Sequence, residues 1–188
     1  MAFSSEKMNS LKIISEEYRE LVDNPLYNIG ATVGLTRPDD FYEWKCTLLA
    51  PKDTSYAGGI FMLIIQFPDN YPEKVPEVFF KTPIYHLNIN PMKPKYEGSE
   101  PLGHVSISIL NWWRPYYRIR QVLCDIFALL FMANPDSPYG LARANEFKFN
   151  RVLHEEKIKY FTKKYANIYD CHKDYNENWD FSYPEDKK

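Results

Sequence analysis

Four short apolar runs, spaced by turn signals with no helical pattern between them, constrain this chain more than any other feature. Ala31, Val33 and Leu35 alternate with other residues, as do Tyr42, Trp44, Cys46 and Leu48; Ile60 to Phe67 is nearly continuous, and Val78 to Lys81 is a short fourth run. A period of two is that of a strand with one buried face, and an unbroken short run suits a strand buried on both. The runs are separated by Arg37-Pro38-Asp39-Asp40, by Ala57-Gly58-Gly59 and by Pro68-Asp69-Asn70-Tyr71-Pro72, all rich in turn formers. The pattern predicts an antiparallel meander, because parallel neighbours would need a crossover helix in each gap.

Helical spacing appears on either side of the meander. Leu11, Ile14, Tyr18 and Leu21 predict an amphipathic helix over Met8 to Val22, ended by Pro25. Pro83 to Leu102 is irregular, since Pro91, Pro94 and Pro101 cannot donate to a ladder. Arg118 to Met132 is apolar on several faces and predicts a buried central helix, broken by Asn134-Pro135-Asp136-Ser137-Pro138. A short helix near Leu141 to Phe147 is expected next. A longer one follows, with His154, Ile158, Phe161, Tyr165 and Ile168 on one face. Helix, four-stranded meander, then helices is an α+β plan.

The chain has 188 residues, enough for one core and short for two. Residues 1–168 read as the domain and 169–188 as an acidic, aromatic-rich tail. The net charge of -2 gives no case for nucleic acid. Runs such as Phe61 to Ile65 and Ile126 to Met132 are too short to span a bilayer, so no direct membrane insertion is expected. Met1 to Asn9 lacks secretory or transit character, which makes an intracellular, by default cytoplasmic, location the expectation; nucleus and mitochondrion stay open. Cys46, Cys124 and Cys171 are widely spaced, with no Cys/His cluster, so neither a disulfide framework nor a metal site is expected. Cys46 and Cys124 read as small buried hydrophobes, Cys171 as part of the polar tail. Lys93 and Lys95 read as solvated loop charges. No cofactor is expected.

Several segments occur in an order that carries a resemblance. Trp44 to Phe61 holds a strand, a turn and Tyr56-Ala57-Gly58-Gly59; Phe67-Pro68-Asp69-Asn70-Tyr71-Pro72 follows with Pro76; then come Tyr85-His86-Leu87-Asn88, Gly103-His104-Val105-Ser106-Ile107-Ser108-Ile109-Leu110, Trp113-Arg114-Pro115 and Asn134-Pro135-Asp136-Ser137-Pro138. Over residues 5–166 this series resembles the ubiquitin-conjugating enzyme family. Active members accept ubiquitin from an activating enzyme on a cysteine, as a thioester, and pass it to a lysine. Thiolate suits the task as a strong nucleophile and a good leaving group. The resemblance aligns Ser106 with that cysteine. His86 and Asn88 match the family's His-Pro-Asn, with Leu87 replacing the proline, and that asparagine supports an oxyanion or its loop. Ser108 stands where an acid is frequent, and Ser137 at a variable position near the incoming lysine.

Three accounts of Ser106 compete: natural loss of the cysteine, an experimental Cys-to-Ser trap of an active enzyme, and a live serine served by His104 or His86. The neighbours favour loss. Leu87 breaks the motif, and Met92 to Leu102 looks like an insertion between Asn88 and Ser106. Glu73 and Tyr116 replace the aromatic and the small residue that favour ligase docking. Ser106, Asn88, His86, Ser108 and Ser137 are thus expected to form a degenerate, inactive site. The resemblance then implies an interaction or structural subunit of a larger assembly, with ubiquitin or an active conjugating enzyme as candidate partners. Trp112, Tyr116, Tyr175, Trp179 and Phe181 are the candidate partner contacts, although the plainer reading of a tail holding five aromatics is that it packs back on its own domain.

Overall fold

The computed structural model describes residues 5–94, 99–173, 175 and 179–184. Helix α1 (Ser5–Asp23) leads into strands β1 (Ala31–Leu35), β2 (Glu43–Leu49), β3 (Ile60–Gln66) and β4 (Glu77–Phe80). These form one antiparallel sheet in the order β1-β2-β3-β4. Helices α2 (Ser108–Asn111), α3 (Ile119–Leu129), α4 (Leu141–Phe149) and α5 (Arg151–Tyr165) follow. This is the α+β plan the hydrophobic pattern implied. Lys95, Asp174, Glu177, Glu185 and Asp186, along with part of the suspected insertion, lie outside the described residues.

Register explains why the alternation was readable. Leu35, Trp44, Ile65 and Val78 align across the sheet, as do Val33, Cys46, Leu63 and Phe80. Trp44, Cys46, Leu63, Ile65 and Val78 are fully enclosed. Against this face lie Ile14 and Leu21 of α1, and Ile119, Val122, Leu123 and Ile126 of α3. Burial pushes the Cys46 thiol up to about 12, so it is inert at neutral pH, as expected of a small hydrophobe.

Two carboxylates join α1 to α3: Glu20 pairs with Arg120 at the surface, and Glu17 reaches the start of α3. The N-cap residue of α3 is Arg118, whose side chain offers no acceptor. Glu17 supplies one instead: Oε2 accepts the Ile119 N–H at 2.8 Å while Oε1 accepts the Tyr71 hydroxyl at 2.7 Å. Replacing Glu17 by alanine leaves both donors without that partner and should lower the unfolding free energy by about 2 kcal/mol in urea titrations. A change within about 0.5 kcal/mol would mean water takes over both donors at no cost.

The structure corrects the sequence reading in two places near the C-terminus. Helix α5 ends at Tyr165, so Ile168 leaves the apolar face and stands 67% exposed. Cys171, assigned to a polar tail, is buried. Its carbonyl accepts the Thr82 hydroxyl at 2.7 Å, which in turn accepts the Met62 N–H at 2.9 Å. The packed unit thus continues past residue 168.

Candidate functional site

The segment His86-Leu87-Asn88 is almost wholly enclosed and sits under a surface groove. Asn88 donates from Nδ2 to the carbonyls of Asn134 (2.8 Å) and Ser137 (2.9 Å), while its Oδ1 accepts the Asn134 N–H at 2.8 Å. The side chain is therefore committed to the loop over 134–137. His86 is equally committed: Nε2 donates to the Leu129 carbonyl at 3.1 Å and Nδ1 accepts the Asn88 N–H at 2.9 Å. Only the neutral ring with its proton on Nε2 satisfies both. Burial, helped by the charge of Arg143, lowers its pKa to about 4.

Ser106 lies on the next stretch of chain, whose backbone N–H donates to the Asn88 carbonyl at 2.9 Å. Its Oγ accepts from Asn111 Nδ2 at 3.2 Å. A nucleophilic hydroxyl needs a base to take its proton. His86 has both ring nitrogens occupied, and His104 pairs through Nδ1 with the Tyr139 hydroxyl at 2.6 Å. Ser106, Ser108 and Ser137 open together into a groove of about 260 Å³, with Asn111, Asp125, Met132 and Asn134 completing its wall. Among the described residues no cluster of His, Cys, Asp and Glu suits a metal ion.

The chain upstream of Ser106 is tightly clasped. Asn90 Nδ2 donates to the carbonyls of Glu100 and Pro101, both at 3.0 Å, and the Asn90 carbonyl accepts the Gly103 N–H at 2.8 Å. Asn90 is thus bonded to Glu100, Pro101 and Gly103, a few residues before Ser106.

A family model described as "Ubiquitin-conjugating enzyme" matches residues 13–162. The chain belongs to the ubiquitin-conjugating enzyme family. It is similar to the "Probable ubiquitin-conjugating enzyme E2 31" of Arabidopsis thaliana, at 37% identity over 156 residues, which cover 82% of this chain and 92% of that protein.

Within this family fold, the site positions suggested by sequence divide by depth. Ser106, Ser108 and Ser137 line the groove, while Asn88 and His86 are both buried, Asn88 holding the groove wall at Asn134 and Ser137. Asn111 and Asp125 also line this groove. Asn111 reaches Ser106 because one helical turn, α2, follows the serine, and four residues are too few to show a period. Asp125 was legible as the acid within the apolar central helix; desolvation raises its pKa.

The partner candidates also divide. Trp112 and Tyr116 stand 75% and 69% exposed. Trp113 beside them is structural, donating from Nε1 to the Pro72 carbonyl at 2.7 Å. Tyr175, Trp179 and Phe181 make contacts within the domain, the packing-back alternative for the tail. Tyr175 packs edge-on against Tyr165 at 5.2 Å, Phe181 against Phe161 at 4.9 Å, and Trp179 is buried. Part of the gain from removing these rings from water is realised within the domain.

Proposed function

We propose that this family member is non-catalytic and serves as an interaction or structural subunit of a protein assembly. The observation that carries this reading is the state of Ser106. It replaces the thiol with a hydroxyl whose described partner, Asn111 Nδ2, is a donor. The two nearby imidazoles are held in other bonds. A serine alkoxide is far less accessible at neutral pH than a cysteine thiolate. Of the candidate partner contacts, Trp112 and Tyr116 are the most exposed and the best placed to meet a partner of this kind.

The alternative is an active conjugating enzyme in which serine stands for a native cysteine. The intact Asn88 clasp and the open groove at Ser106 favour it. Charging assays separate the two. The protein and its Ser106→Cys variant are incubated with ubiquitin, activating enzyme and ATP, and read on non-reducing gels. We expect no adduct on either chain. A thioester on Ser106→Cys at the rates of active family members would overturn the non-catalytic reading.

A further inference from the structure

Three consecutive residues beneath the groove are each tied to a different part of the molecule. The His86 carbonyl accepts from Arg143 Nη1 at 3.3 Å, the Leu87 carbonyl accepts the Tyr139 N–H at 2.8 Å, and the Asn88 side chain holds Asn134 and Ser137. Arg143 is in turn held by the C-terminal segment. Its guanidinium lies 4.3 Å from the Tyr85 ring centroid and 4.6 Å from that of Phe181, a cation shared by two rings that meet edge to face. Phe181 is fixed by Phe161 and by Tyr85, at 4.9 and 5.5 Å. The neighbouring Asp180 accepts Lys164 Nζ at 3.0 Å, and its carbonyl accepts the Tyr165 hydroxyl. Residues 179–183 thus form a strap on one side of His86-Leu87-Asn88, and the wall of the Ser106 groove is bonded to the other.

We propose that this C-terminal strap, acting through Arg143, holds the wall of the Ser106 groove in place, so that releasing the strap loosens residues 134–139. Without the Phe181 ring, the guanidinium is open to water on one face and free to leave both Tyr85 and the His86 carbonyl. A carbonyl so enclosed cannot stay unpaired at no cost, so the short segment shifts toward another donor. The same segment carries the bonds to Asn134, Ser137 and Tyr139, and packed neighbours of this kind share their energies. A binding event that captured the tail would therefore reshape the groove from the far side of the domain. This coupling stands whether or not Ser106 is ever charged.

Amide hydrogen exchange on the full chain tests it, with Phe181→Ala and Arg143→Lys compared with the parent and with Tyr169→Ala, a change at an exposed tyrosine. Arg143→Lys keeps the charge but removes the planar fork that stacks, and it carries the test if Phe181→Ala does not fold. The expected result is exchange at the Asn134 and Tyr139 amides roughly tenfold faster than in the parent, with a smaller change in β2 and β3. Acceleration confined to residues 160–184 would overturn the proposal. So would a rise at Asn134 and Tyr139 no greater than in β3, because that reports only a less stable protein.

Discussion

Gly103→Ala should destabilise this protein by roughly 3 kcal/mol or more and shift the strand-like stretch that carries Ser106. Gly103 has φ +82°, where an L side chain costs about 1–2 kcal/mol. A Cβ there would also stand 2.1 Å from the Phe80 carbonyl oxygen, well inside contact distance. The chain cannot simply retreat. The Phe80 N–H donates to the Gly103 carbonyl at 2.8 Å, and the Gly103 N–H donates to the Asn90 carbonyl at 2.8 Å. Moving the glycine stretches both bonds and pulls on His104-Val105-Ser106. Gly58 provides the control: it shares φ +82° but has nothing within 4 Å of an added Cβ. Gly58→Ala should therefore cost only about 1–2 kcal/mol. Equal urea midpoints for the two variants would mean the Phe80 contact relaxes freely.

Acid should weaken the fold through His86. Its native pKa is about 4, below the ordinary 6.5, so between these values the unfolded chain binds a proton that the native chain refuses. The stability owed to the neutral ring is complete above pH 6.5 and lost as pH falls through 4, a total of about 3 kcal/mol. His104 and His154 are lowered by burial too and steepen the decline. Glu17 works the other way. Desolvation raises its pKa, so the native state gains a proton there before the unfolded chain does. His86→Gln isolates the contribution, since its amide can still donate to the Leu129 carbonyl. That variant should be less stable at pH 7 but show a flatter profile from pH 6.5 to 4. Parallel profiles for the variant and the parent would sink the assignment.

Both predictions depend on contacts made across long stretches of chain, and the sequence reading succeeded and failed along that division. The meander was legible because Trp44, Cys46 and Leu48 each face the core, and period-two alternation reports burial on one side. Membership of the family was legible because its short motifs occur in series along the chain. The roles of individual site residues were harder to read. His86 was a candidate base until its ring proved to bridge Leu129 and Asn88, and no spacing encodes a carbonyl 43 residues away. Asn111 was missed because a single helical turn has no periodicity to detect.

The tail marks the boundary most clearly. Aromatics among acids show that Tyr175, Trp179, Phe181 and Tyr183 need a surface to cover them, and composition cannot say whose. Only the folded chain decides it, by bringing Tyr85, Phe161 and Tyr165 together with Arg143 into a surface that accepts them. By itself, the sequence determined which residues must leave water, in what local period, and which family the chain resembles. Tertiary structure decided which buried groups meet, because hydrogen bonds and ring contacts form between neighbours in space and one-dimensional patterns record only neighbours along the chain.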